Sequence, residues 1–306
     1  MNVLVGYTGF VGSNIYVKGK FDKVFNSKNI TEAYGLKPEL LIYAGVRAEK
    51  YLANNAPEED EKLIRQAMEN IERIKPQKLV LISTVDVYKH PAGADENTQI
   101  DVEGLQPYGK NRYQLECMVR EKYQDALIVR LPGLFGENIK KNFIYDLIHG
   151  TPSMLKKEKF LELAEEVPEI REFYVDMENG FYKCREMSKT EEIMLRNMFE
   201  TVGFSALNFT DSRSAFQFYP LSRLWDDIQV ALKKEIILWN PATEPVLAGE
   251  LYEYITGEKF VNELQAEPLN YNYKTLYSQV FGGKDGYITN KTCIMHQIKD
   301  FVEENS

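Results

Sequence analysis

The chain has 306 residues, 44% of them apolar and 27% charged, a composition that supports a sizeable core and argues against disorder. Its 46 acidic against 37 basic residues leave a formal charge of -9, which disfavours a nucleic-acid partner. Cys117, Cys184 and Cys293 form no close pair, no run of ~18 apolar residues occurs, and Met1-Asn2-Val3-Leu4-Val5 opens no signal peptide, so a cytoplasmic protein without a membrane partner is expected.

Short runs rich in branched apolar residues, at 3–5, 23–25, 40–44, 79–83 and 127–131, suit strands buried on both faces. Between the third and fourth, residues 57–75 place Leu63, Ile64, Ala67, Met68, Ile71 and Ile74 at helical spacing in a charged background. Strand, helix and strand in this order predict a crossover, hence a parallel sheet. Beyond about residue 137, helical stretches at 155–166 and 190–202 flank a turn at Asn179-Gly180 and predict a helical insertion. The run at 235–239 is expected to return to the sheet, and 297–304 to close the chain as an amphipathic helix. No repeat of 20 to 50 residues emerges.

Gly6-Tyr7-Thr8-Gly9-Phe10-Val11-Gly12 follows the first strand and precedes a helix-like segment. Such glycines let the chain turn sharply, bring its backbone close to a pyrophosphate and pack the helix onto the strand, while the helix N-terminus offers N–H groups to the phosphates. A bare strand–helix turn is the plainer alternative, but the position at the first strand favours a dinucleotide site built from Gly6, Gly9, Phe10, Val11 and Gly12. Ala44 and Gly45, at the end of the third strand, join that set. NAD calls for an acid at the end of the second strand; Asn26-Ser27-Lys28 stands there instead, which favours the 2′-phosphate of NADP over NAD.

Two later segments, Ser83-Thr84-Val85-Asp86-Val87-Tyr88 and Pro107-Tyr108-Gly109-Lys110-Asn111-Arg112, join the glycine turn in a familiar order. Together they resemble the extended short-chain dehydrogenase/reductase family of sugar-nucleotide epimerases, dehydratases and reductases, from residue 1 to about 136. The resemblance implies a Rossmann-type doubly wound parallel sheet of α/β class, with a smaller, mainly helical substrate lobe. Residues 1–136 with 205–240 would form the NAD(P)-binding domain, and 137–204 with 241–306 the substrate lobe. It also implies that Thr84 orients a substrate oxygen and Tyr108 transfers a proton.

A phenol works at neutral pH only beside a cation, and on a helix the i+4 neighbour of Tyr108 is Arg112 where the family has lysine. Arginine keeps the charge but as a planar fork, and Arg112 is expected to support the phenolate. Thr84-Val85-Asp86 lacks the acid that the dehydratase subgroup carries at position 85.

By the same resemblance, Pro132 and Gly133 would contact the nicotinamide amide through their backbone. Asn142, beside Lys140 and Lys141, and Arg223, in an aromatic and acidic stretch, are candidates to bind the substrate, a nucleotide sugar or similar polar carbonyl compound. Similar proteins pair as homodimers through the helix after Ala56 and the Tyr108 helix, making Met68, Ile71 and Met118 candidate contacts. His90, His149 and His296 are isolated, so no metal is expected. A non-catalytic NADP-binding regulator is the competing class, with Arg112 recording lost chemistry.

Overall fold

Branched apolar residues at every position of a short run can be satisfied only between two helical layers, and the first half of the chain builds this arrangement. The computed structural model describes residues 1–305. Its elements begin with β1 (Asn2–Val5), α1 (Phe10–Lys18), β2 (Lys23–Phe25), β3 (Leu40–Tyr43), α2 (Lys50–Asn55) and α3 (Pro57–Ile74). They continue with β4 (Lys78–Thr84), α4 (Pro107–Lys122), β5 (Leu127–Leu131) and β6 (Gly133–Phe135).

The chain then forms α5 (Phe143–His149), β7 (Met154–Lys156), α6 (Lys157–Glu166), β8 (Tyr174–Asp176), β9 (Phe181–Cys184) and α7 (Lys189–Thr201). It returns through β10 (Ala215–Phe216), β11 (Phe218–Pro220), α8 (Leu224–Lys233) and β12 (Leu238–Trp239).

One compact unit comprises residues 1–138, 216–245 and 270–294. Its six strands run parallel in the order β12-β5-β4-β3-β1-β2. Alternate residues of each strand serve opposite layers. Val3 and Val5 join Ile64, Ala67, Ile71, Ile74, Leu115 and Val119 of α3 and α4, whereas Leu4 joins Ile15 of α1 and Leu224, Ile228 and Ala231 of α8. This is the expected doubly wound α/β sheet. Because the chain leaves β1 for β2 on one side and reaches β3 on the other, the order reverses between β1 and β3, where such sheets hold ligands.

The second unit comprises residues 139–215, 246–269 and those from 295 onward. The ranges differ from those expected: 205–215 lies in this unit, while 241–245 and 270–294 lie in the first. The second unit is mainly helical, and it also holds a small antiparallel sheet of β7, β9 and β8, with Asn179-Gly180 in the β8–β9 hairpin, that the sequence did not announce. Strands of three or four residues are too short to display alternation, which is why the sequence reads there as helix and turn alone. Their anchor is a core of Leu155, Phe160, Tyr174, Leu195 and Phe199, with Phe160 and Tyr182 stacked at 3.8 Å between centroids.

Two further expectations change. The run at 235–239 pairs with β5 only at Leu238 and Trp239. Ile71 is fully buried and Met68 is 5% exposed in the layer between α3 and the sheet, so neither is open to a second copy; Met118 also packs against that core. The outward side of α3 instead carries the ion pairs Glu59–Lys62, Glu61–Arg65 and Glu69–Arg73.

Candidate active site

In a parallel sheet every strand ends on the same edge, so the turns after β1, β3 and β4 of the first unit gather there. The turn after β1 is dictated by close approach. Gly6 has φ +93°, and a side chain on it would run into the Ala44–Gly45 peptide at the end of β3; one on Gly12 would strike the Gly6 carbonyl. Gly9 is different. A Cβ there would meet only the Gly6 carbonyl, at 3.4 Å, so packing does not require glycine, whereas a ligand approaching the N-terminus of α1 does. No side chain caps that N-terminus. Phe10 and Val11 face inward against the core. These residues fit a dinucleotide pyrophosphate.

At the end of β2, Asn26 is occupied by its own turn: its Oδ1 accepts from Lys28 N (2.9 Å) and its N donates to Asn29 Oδ1 (2.8 Å). That leaves the exposed Ser27 and Lys28 side chains facing outward from the loop. On the far side of α1, buried Asn14 donates to the Phe10 and Glu137 carbonyls (2.9 and 2.8 Å), holding the segment that carries Pro132 and Gly133 beside the glycine turn. Asn14 was not singled out in the sequence, where an amide four residues beyond a helix start looks like surface.

Thr84 ends β4 and Tyr108 occupies the first turn of α4. What brings them together is Gly109, where a side chain would fall on the Asp86 carbonyl, so α4 rests directly on the turn at Val85–Val87. Tyr108 is 7% exposed, and its N donates to Asn54 Oδ1 of α2 at 2.9 Å. Burial pushes the phenol above its ordinary pKa; Arg112 opposes this, Asp86 adds to it, and Lys50 and a hydrogen bond with Thr84 lower it.

Arg112 lowers the phenol in the expected direction, but from the face of the ring and with its donors engaged elsewhere. It is 4% exposed, its guanidinium lies 4.0 Å from the Tyr108 ring centroid, and it is spent on other partners. Nη1 donates to Asp60 Oδ2 of α3 and to the Tyr108 carbonyl, and Nη2 donates to the Arg47 carbonyl (2.6 Å). The i+4 rule correctly places it on the face of Tyr108, but a planar fork covers the ring instead of meeting the hydroxyl.

Three residues that sequence reasoning missed stand on the Thr84 side. Lys50 Nζ donates to Asp86 Oδ1 (2.9 Å) and to the Tyr271 hydroxyl (3.4 Å), and that hydroxyl donates to the same Asp86 oxygen (2.9 Å). Burial, with Asp86, pushes Tyr271 up to about 12. Asp86 N in turn donates to Thr84 Oγ1 at 3.2 Å. Beneath them, Ser83 Oγ donates to Glu116 (2.6 Å), which holds Arg130 through both Nε and Nη2, while Arg130 Nη1 donates to Tyr88 (2.8 Å).

The two substrate candidates are engaged otherwise. Asn142, in the second unit, caps α5 by accepting from the N–H groups of Ile144 and Tyr145. Arg223, in the first, pairs with Asp227 (3.1 Å) and donates to Thr289 (3.0 Å). Among the described residues no group of three or more His, Cys, Asp or Glu side chains could hold a metal, and no helix is long and apolar enough to cross a membrane.

Solved structures resemble the chain along its whole length. A dTDP-4-dehydrorhamnose reductase from Bacillus anthracis, in complex with NADP, aligns over 99% of this chain and 97% of its own with a TM-score of 0.63 and 15% identity. The corresponding reductase from Yersinia enterocolitica covers 100% and 99% at 0.65 and 10%. A UDP-glucuronic acid 4-epimerase from Bacillus cereus, bound to UDP-4-deoxy-4-fluoroglucuronic acid and NAD, covers 99% of each chain at 0.58 and 16%. No family model matches the sequence, and no curated protein does. The fold is therefore that of a Rossmann-type α/β protein. More particularly, it is the fold seen in these two dTDP-4-dehydrorhamnose reductases and this UDP-glucuronic acid 4-epimerase.

Proposed function

We propose that the protein binds a nicotinamide dinucleotide and is a reductase or epimerase of a sugar nucleotide or a similar polar carbonyl substrate. The observation that carries this reading is that Gly109 seats the buried Tyr108 and its helix directly on the turn that follows Thr84, at the sheet edge that also holds the glycine turn. A dinucleotide lying on Gly6, Gly9 and Gly12 supplies or accepts a hydride when bound. Tyr108 then donates its phenolic proton to the carbonyl oxygen, or accepts it in reverse, and the Thr84 hydroxyl holds that oxygen in line. Burial keeps the phenol protonated at neutral pH, the form needed for reduction.

NADP is favoured over NAD because Ser27 and Lys28 point outward where an acid would repel a 2′-phosphate. Neighbours in solved structures hold either cofactor. Titrating NADPH and NADH by fluorescence tests the choice: the reading expects tighter NADPH, and Lys28→Ala weakening NADPH alone. A screen of keto-sugar nucleotides linked to dTDP or UDP, followed at the nicotinamide absorbance, tests turnover. Binding without turnover of any of them would favour the regulator, a reading that the commitment of Arg112 to Asp60 supports. The reading places the protein in the cytoplasm. It also keeps a homodimer, which would have to use the charged outward side of α3 with α4; light scattering reports it.

A further inference from the structure

We propose that Lys50 is a second cation, beside Arg112, that assists Tyr108 in proton transfer, while Arg112 is also the clasp that holds Lys50's segment against the Tyr108 helix. This rests on the function proposed above.

The geometry divides the two roles. Arg112 bridges three acceptors on three pieces of chain: Asp60 on α3, the Arg47 carbonyl in the loop after β3, and the Tyr108 carbonyl on its own helix. Only a fork of several donors can do this, and a lysine ammonium on the same stem would have to abandon part of it. The Asp60 carboxylate also compensates its charge in a buried pair, and the guanidinium covers the face of the ring. The Arg47 carbonyl lies three residues before Lys50. Four residues beyond Lys50, Asn54 accepts the Tyr108 N–H. Lys50 thus sits on a six-residue helix pinned to the start of α4 from both sides.

Its ammonium lies on the Thr84 side of the site. Lys50 Nζ is one hydrogen bond from Asp86, whose backbone N–H is one hydrogen bond from the Thr84 hydroxyl. The side chain is 48% exposed, against 5% for that of Arg112, so it can move from Asp86 toward a phenolate as one forms. Burial alone would lower the Lys50 pKa, but Asp86 and then Tyr271 carry it above its ordinary value, so the ammonium persists through neutral pH. In the reductive direction the phenol O–H bond breaks as the substrate O–H bond forms, the hydride for the carbonyl carbon would come from a bound dihydronicotinamide, and Lys50 faces the phenolate left behind. Around Tyr108 the charged groups are Arg112 on α4, Asp60 on α3, Asp86 after β4 and Lys50 on α2, with Tyr271 titratable beside them.

The test reads the phenol itself. With 3,5-difluorotyrosine incorporated at position 108, which lowers the phenol's intrinsic pKa, its titration is followed by fluorine NMR in the full chain without substrate. Lys50→Met should raise the midpoint by about one pH unit, Lys50→Arg should return it close to the wild-type value, and Asp86→Asn should lower it. A midpoint that Lys50→Met leaves in place overturns the assignment. In enzyme with tyrosine at 108, Lys50→Met should cut kcat at pH 7 at least about tenfold with KM little changed. Should the screen find no substrate while the fluorine midpoint still moves, the proposed function fails and Lys50 remains a cation that acts on Tyr108.

Discussion

Tyr108 carries one hydroxyl on a ring that is otherwise packing: 7% exposed, and covered by a guanidinium 4.0 Å from its centre. Tyr108→Phe keeps the ring, its cation–π contact and the backbone bond to Asn54, and removes only the proton donor. Turnover should therefore fall by about 10² or more while NADPH affinity stays within about twofold, a split that steady-state kinetics and fluorescence titration read separately. Full activity in the variant would sink the proton-donor role. At this scale the sequence was legible where a motif fixes both residue type and element: Gly6 and Gly12 could be placed by order and spacing, and Thr84 and Tyr108 by the family resemblance their segments carry. Lys50 could not, because its relation to Asp86 and Tyr271 spans 36 and 221 residues of chain and leaves no local period. Arg112 was legible in direction but not in partner, since helical spacing reports which face a residue shares and is silent on Asp60, contributed by another helix.

Helix α4 is held against the sheet by more than apolar area. Glu116, fully buried, is fixed by Ser83 of β4 and by a two-nitrogen contact from Arg130 of β5, itself 1% exposed. A buried pair of this kind contributes little net stability compared with an apolar replacement, but removing one partner leaves the other charge without compensation. Glu116→Gln keeps the shape and strands Arg130, so denaturant unfolding should show a loss of about 3 kcal/mol. A loss below about 1 kcal/mol would mean that water reaches the guanidinium. Because Ser83 precedes Thr84, the same change should also loosen the end of β4. The elements of the sheet were readable because uninterrupted apolar runs and one strongly amphipathic helix, α3, report burial directly. The antiparallel sheet of the second unit was not, since β7, β8 and β9 place only three or four residues each and owe their pairing to contacts with α6 and α7.

At the scale of the whole molecule, the acidic chain should have a pH-dependent stability in which two kinds of carboxylate pull in opposite directions. In the second unit Asp211 is held below its usual range by Arg213 and by the N–H groups of Arg213, Leu264 and Gln265, so its contribution is present at neutral pH and is lost in acid. Asp146, near the start of α5 in the same unit, does the reverse: burial alone pushes it up to about 7. A carboxyl whose folded pKa lies above the unfolded value of about 3.9 favours the folded state below that value. The advantage fades as pH rises through about 7, where the buried group must ionise. Asp146→Asn replaces the carboxyl by a neutral amide of the same shape and removes only this dependence. Asp211 and every other carboxylate titrate alike in both proteins, so the difference between the two thermal unfolding curves isolates position 146. Wild type and variant should unfold at similar temperatures at pH 4.5, and the variant should gain about 2 kcal/mol, or several degrees, at pH 8. The full linkage value is larger, but the side chain retains partial exposure and solvent screening reduces it. A difference that stays flat between pH 4.5 and 8 would show that Asp146 is ionised in the folded chain at no cost, with water admitted to the start of α5.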